Sequence, residues 1–143
     1  TVYDNLMAGA YLNKDGGETA RNLEEVYELF PKLKERKNQM AGTLSGGERT
    51  MLAVGRALMY RPRLFCLDEP STGLAPAVRD ELFSRISEIY ATGMTIFLVE
   101  QDVVYAFELA KRNYVMPRGR IVAQGTSKEL LADDNLRKLY LGL

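Results

Sequence analysis

Apolar positions along the chain change period several times, and each change marks an element. Leu6, Met7 and Ala10 continue one apolar face, and Thr1 followed by Asp4 has capping-box spacing, so the pattern predicts a helix from the first residues. Asn13-Lys14-Asp15-Gly16-Gly17 reads as a loop by composition. A second helix is predicted from about Thr19 to Phe30, with Leu23, Val26, Tyr27 and Phe30 at three- and four-residue spacing, and Pro31 ends or kinks it. From Glu48 to Tyr60 the pattern is helical again. Met51, Leu52, Val54, Gly55, Ala57 and Leu58 make it apolar or small on most sides, as in a helix buried between layers.

Pro62 stops that helix, and Leu64 to Leu67 is a short continuous apolar run, the pattern of a parallel strand buried on both faces. Val78 to Tyr90 is amphipathic, with Val78, Leu82, Phe83, Ile86, Ile89 and Tyr90 on the apolar side. Gly93 closes it and Thr95 to Val99 reads as a second buried strand. Strand, helix, strand predicts a right-handed crossover in an α/β sheet. A helix follows over Val103 to Lys111, then a hairpin of Tyr114 to Met116 with Arg120 to Ala123 at the sheet edge, joined by Arg118-Gly119. Two short helices complete the pattern, one capped by Thr126 or Ser127 and one from about Asp133 or Asp134 to Leu141. No internal repeat or low-complexity tract interrupts it. The first forty or so residues are helical and the remainder is α/β, which places a subdomain boundary near Met40 to Thr43. The abrupt opening on a helix start raises the expectation of a domain cut from something longer.

Composition narrows the function classes. At 143 residues the chain is one domain, long enough to bury roughly 70% of its unfolded surface. It is 46% hydrophobic and 27% charged, which is globular composition, and its 19 basic and 19 acidic residues offer no net charge for a polyanion, so no nucleic-acid partner is expected. The basic run Lys32 to Lys37 reads as a solvated face. A single cysteine, Cys66, excludes an internal disulfide and a multi-cysteine metal site, and its place in the apolar run predicts a small core residue. The absence of histidine removes histidine triads and histidine metal ligands. No apolar run reaches the roughly 18 to 20 residues that cross a bilayer and no secretory signal opens the chain, so a cytosolic protein is expected.

Chemistry concentrates between Leu44 and Pro70. Ser45, Gly46 and Gly47 put a hydroxyl and two unobstructed peptide N–H groups at a helix N-terminus, where partial positive charge and free donors accept anions. A plain serine cap with a glycine turn has the same pattern, and both readings stay open. Asp68 and Glu69 follow an apolar strand directly, at the edge where α/β proteins bind ligands. Asp68 is suited to a hard cation such as Mg2+, and Glu69 to a base acting on the water that attacks a phosphate. Two strand-end acids paired with surface cations are the alternative.

Joined, these elements are more specific. Leu44-Ser45-Gly46-Gly47-Glu48, Gly55-Arg56-Ala57-Leu58, Pro62 and Leu67-Asp68-Glu69-Pro70-Ser71 closely resemble the signature motif, following helix, Walker B strand and D-loop start of the ATP-binding-cassette (ABC) ATPases. The resemblance runs the whole chain. It implies an α/β fold, the carboxyl-terminal part of an ABC-type P-loop ATPase domain, with residues 1–42 a helical subdomain segment and 43–143 the carboxyl-terminal half of the catalytic core. Thr1-Val2-Tyr3-Asp4-Asn5-Leu6, Ser71-Thr72-Gly73-Leu74-Ala75-Pro76, Leu98-Val99-Glu100-Gln101 and the ending Tyr140-Leu141-Gly142 are similar to the ATPase subunits of branched-chain amino acid importers. Urea and amide importers and lipopolysaccharide-export ATPases share much of this.

What the resemblance implies is a mechanism divided between subunits. Ser45, Gly46, Gly47 and Glu48 would contact ATP held by a second ABC ATPase subunit, and Ser71, Thr72, Gly73 and Leu74 would cross the same interface as a D-loop. Asp68 would hold Mg2+, with Glu69 and Gln101 catalytic. The complex would sit on the inner face of the cell membrane against an integral permease, with residues Thr1 to Phe30 towards it. Two departures matter. No lysine follows a glycine anywhere, so the P-loop is absent and a partial cassette, inactive alone, is expected. Gln101 stands where most cassettes have a switch histidine. A glutamine can hydrogen-bond a phosphate oxygen or water but cannot shuttle a proton, leaving Glu69 more of the water activation. A soluble non-transport ABC ATPase and a catalytically silent truncated binding module are the alternative functions.

Overall fold

The computed structural model describes residues 1–138. Its elements are α1 (Val2–Gly9), α2 (Gly16–Leu29), α3 (Pro31–Glu35), α4 (Gly46–Leu58), β1 (Leu64–Asp68), α5 (Pro76–Ala91), β2 (Thr95–Val99), α6 (Val103–Leu109), β3 (Asn113–Val115), β4 (Ala123–Gly125), α7 (Ser127–Leu131) and α8 (Asp134–Leu136). Two compact units emerge, one of Thr1–Cys66 with Pro70–Phe97 and one of Leu67–Glu69 with Leu98–Leu143. β1 and β2 are hydrogen-bonded neighbours, with α5 between them in the chain, as the strand–helix–strand pattern predicts.

The first unit is organised on α4, against which α1, α2, α3 and α5 all pack. Its core draws Val2 and Leu6 from α1, Val26 and Tyr27 from α2, Leu33 from α3, and Leu82, Phe83, Ile86 and Ile89 from α5. α1 comes so close to α4 that a Cβ on Gly9 would lie 1.9 Å from the carbonyl oxygen of Arg56, so only glycine is compatible with that crossing. The last turn of α4 is closed by side chains. Asn13 and Asn22 both donate their amides to the carbonyl of Met59, at 3.0 and 2.9 Å, satisfying an oxygen that the helix end leaves free.

Capping explains where the helices begin. Thr1–Asp4, Ser45–Glu48 and Thr126–Glu129 are three reciprocal capping boxes, each with a hydroxyl accepting from the third-residue N–H and a carboxylate accepting from the cap N–H. The same chemistry moves two boundaries from their expected positions. α2 begins at Gly16 rather than Thr19 because Asp15 accepts from the N–H of Gly17 at 2.8 Å, and α4 begins at Gly46 because Ser45 is its cap.

The largest departure concerns β1. It was expected to be buried on both faces, with Cys66 in the core, but burial alternates. Phe65 and Leu67 are buried, while Leu64 is 53% exposed and Cys66 is also exposed. The pleat sends successive side chains to opposite faces, and among the described residues only one face of this strand is covered. β2 shows the same one-sidedness, with Phe97 56% exposed. α4 is likewise not apolar-buried all round, since Ala53, Arg56 and Ala57 are exposed.

In the second unit, β3 and β4 form an antiparallel pair in register Asn113↔Gly125, Tyr114↔Gln124, Val115↔Ala123. They make a two-stranded sheet of their own rather than an edge of the β1–β2 sheet, and the second strand starts at Ala123, three residues later than the expected Arg120, because a 3-10 turn at Pro117–Gly119 lengthens the loop. Leu130 and Leu136 pack with Val103, Phe107, Val115 and Ala123 as its core. α6 ends at Leu109, short of Lys111. The remainder of the expected last helix, to Leu141, and the ending Tyr140-Leu141-Gly142 lie outside the described residues. No helix among the described residues is long and apolar enough to cross a membrane.

Candidate functional site

At the N-terminus of α4 the hydroxyl of Ser45 is already committed. It accepts from the N–H of Glu48 at 3.3 Å and donates to Glu48 Oε2 at 2.9 Å, while the N–H of Ser45 donates to the same oxygen at 2.9 Å. Arg36 adds an ion pair to the other carboxylate oxygen at 3.2 Å. The carboxyl of Glu48 is therefore held below the ordinary glutamate value, first by the backbone N–H of Ser45 and then by its hydroxyl. The N–H groups of Gly46 and Gly47 belong to the first turn and lie outside the intrahelical ladder. Gly46 is exposed, so its donor side is open to an anion. A cavity of about 100 Å³ opens beside this turn, lined in part by Ser45, Gly47, Glu48 and Met51.

Sequence reasoning missed Arg36. Within a basic run, nothing in composition distinguishes a cation that pairs with a distant acid from one that is solvated. Lys34 in the same run pairs with Glu24 at 2.7 Å and lies 5.7 Å from the ring centre of Tyr27, so the run is only partly a free solvated face.

The turn after β1 joins the next candidates. Leu74 N–H donates to the carbonyl of Ser71 at 3.1 Å, closing a turn in which Gly73 takes φ +74°, a conformation that glycine adopts without steric cost. Ser71 is buried and Thr72 exposed. Ala75 then leads into α5 with Pro76 in its first turn, where a missing N–H costs nothing.

Asp68 and Glu69 lie together with Gln101 in the second unit. Glu69 has φ +43°, an uncommon backbone for a residue with a side chain, and its N–H donates to the carbonyl of Val99 at 2.8 Å. Gln101 Nε2 donates to Glu69 Oε1 at 2.9 Å, so two residues separated by 32 positions meet at the ends of neighbouring strands. Asp68 is exposed at the end of β1. No group of three or more His, Cys, Asp or Glu able to hold a metal occurs among the described residues. A single exposed carboxylate at a strand end can contribute one oxygen to a hard cation that takes its remaining ligands from elsewhere.

These residues place an exposed glycine at a helix N-terminus and two carboxylates at a strand end, and the ABC transporter family model matches residues 1–72. The chain belongs to the ABC transporter family. It is 49% identical over 143 residues to the high-affinity branched-chain amino acid transport ATP-binding protein BraG of Pseudomonas aeruginosa, covering 99% of this chain and 60% of that protein. It is 38% identical over 144 residues to the probable branched-chain amino acid transport ATP-binding protein LivF of Archaeoglobus fulgidus, covering 100% and 61%. The lipopolysaccharide export system ATP-binding protein LptB of Escherichia coli is 31% identical, with 99% and 59% covered. A solved ATP-binding cassette of an ABC transporter in its ADP conformation superposes with TM-score 0.80 at 28% identity, over 100% of this chain and 63% of that one. The chain thus spans about three fifths of the length of the curated relatives it matches.

Proposed function

We propose that the chain is the carboxyl-terminal part of an ATP-hydrolysing subunit that drives a membrane permease, in an importer of branched-chain amino acids. Residues 1–42 form its helical subdomain segment and 43–143 the carboxyl-terminal half of its catalytic core. The observation that carries this is the hydrogen bond from Gln101 to Glu69, which aims one carboxylate oxygen at the end of β1 beside Asp68. Higher identity to branched-chain amino acid ATPases than to the lipopolysaccharide-export protein supports the solute class.

In this reading Glu69 accepts the proton of the attacking water. Gln101 carries no charge and passes on no proton, so its work is to hold the Glu69 carboxylate in one orientation. Asp68 would hold Mg2+, which would supply charge neutralisation on the phosphates when bound. Ser45 must release its hydroxyl from Glu48 to donate to an oxyanion, while Gly46 and Gly47 offer N–H groups without rearrangement. These residues serve a nucleotide bound by a second ABC ATPase subunit, with Glu48 supporting the loop and Ser71, Thr72, Gly73 and Leu74 crossing between the two. The complex works on the inner face of the cell membrane.

Steady-state ATP hydrolysis by the full-length protein tests the site. Glu69→Gln should lower kcat by about 100-fold or more, the range of a lost general base. Gln101→Ala should lower it by about 10-fold, the worth of one hydrogen bond to a charged group. A Gln101→Ala protein as active as the wild type would end the assignment of Gln101. The 143-residue chain alone should show neither micromolar ATP affinity nor steady turnover, because it has no Gly-Lys-Ser or Gly-Lys-Thr cradle.

A further inference from the structure

The two glycines that open α4 have opposite surroundings. A Cβ on Gly46 would meet nothing within 4 Å, whereas one on Gly47 would lie 2.4 Å from Val78 Cγ1. Carbon atoms pack at about 3.5–4.0 Å, so the second position has no room for any side chain while Val78 stays where it is. Val78 has little freedom to move aside. Its N–H donates to the carbonyl of Ala75 at 3.0 Å in the first turn of α5, and a β-branched side chain in a helix is confined to one dominant χ1 rotamer. The next atoms from the same Cβ would be Val78 Cβ at 3.6 Å and Cγ2 at 3.7 Å, both ordinary contacts. One methyl group therefore makes the whole conflict.

We propose that Val78 is a positioning residue for the loop at the start of α4. Its Cγ1 fills the space that glycine leaves at 47 and so sets the spacing between Ser45–Gly46 and α5, the helix that follows the Ser71–Leu74 turn. Gly46 then carries the open side on which a phosphate oxygen approaches, and Gly47 is glycine because α5 packs there. The inference rests on the reading of Ser45–Glu48 as a phosphate-contacting loop, and adds to it a residue outside that motif. Gly47 and Val78 are 31 positions apart, and the role of Val78 has no mark in the sequence beyond its place on an apolar helix face.

A rescue experiment in the full-length protein separates the two glycines. Gly47→Ala should lower kcat for ATP hydrolysis by about 10-fold or more with KM for ATP within about twofold, because the nucleotide is held by a different subunit and only its contact is misplaced. Val78→Ala leaves its Cβ at the ordinary 3.6 Å, so Gly47→Ala/Val78→Ala should regain most of the lost kcat and most of the lost thermal stability. Gly46→Ala should lose activity with unchanged stability, and Val78→Ala should not restore it. No stability rescue in the double variant would overturn the packing contact. Stability rescued without kcat would overturn the positioning role. Wild-type turnover in Gly46→Ala would overturn the phosphate reading itself, a failure distinguishable from the other two because the stability rescue is scored without nucleotide.

Discussion

Replacing Glu48 with alanine removes three interactions at once: the acceptor for the Ser45 N–H, the acceptor for the Ser45 hydroxyl, and the partner of Arg36. Loss of half a capping box costs about 1 kcal/mol. The ion pair adds less, because Arg36 is 43% exposed and Glu48 17%, and a pair so placed contributes about 0.2–1 kcal/mol. Alanine returns a few tenths of a kcal/mol in helix propensity, so the net loss is about 1–1.5 kcal/mol. Urea denaturation should read this as a midpoint lower by about 0.5–1 M. Glu48→Gln keeps an oxygen for the Ser45 N–H and should cost about half as much. The pH dependence has a definite sign. The folded-state value of Glu48 lies below its ordinary 4.5, so the unfolded chain takes up this proton first as the solution is acidified. Its stabilisation is complete above about pH 4.5 and is lost as pH falls through the folded value, and the gap between wild type and Glu48→Gln should close over that window. Wild-type stability in Glu48→Ala at pH 7, or a gap to Glu48→Gln that is the same at about pH 7 and pH 3, would refute the reasoning.

Two further perturbations test the packing. Gly9→Ala brings a methyl group to 1.9 Å from a backbone oxygen, which forces α1 off α4 and should cost about 2–3 kcal/mol in urea denaturation, against about zero for the same change at Gly46; equal stability of the two variants would remove the close crossing. Cys66 should react with a thiol reagent in the native 143-residue chain without denaturant, and protection of the thiol until unfolding would contradict the one-sided burial of β1.

The helix starts were legible because their chemistry is local. A capping box spans four residues, and the Thr1–Asp4 spacing announced a helix that the structure contains. The Ser45 cap and the Asp68–Glu69 strand end were likewise readable, since each is a short run whose residue types imply donors, acceptors or charge. The burial of β1 was not legible. A run of apolar residues specifies that a strand has two faces able to be covered, but whether the second is covered depends on segments elsewhere, and Cys66 is exposed here. The hairpin was found in kind and missed in register, because Pro117–Gly119 forms a 3-10 turn whose length no residue type dictates.

By itself the sequence determined the chemical vocabulary of this protein: a capped helix with an open glycine, a strand ending in two acids, a glutamine after the next strand, and a resemblance to one family. The tertiary structure decided who meets whom. Gln101 donates to Glu69 across 32 positions, Arg36 pairs with Glu48, and Gly47 is closed by Val78 while Gly46 stays open. Local motifs are set by neighbours along the chain, whose geometry residue type controls. Contacts between distant positions are set by how helices and strands pack, and there a single methyl group separates two adjacent glycines that look identical in the sequence.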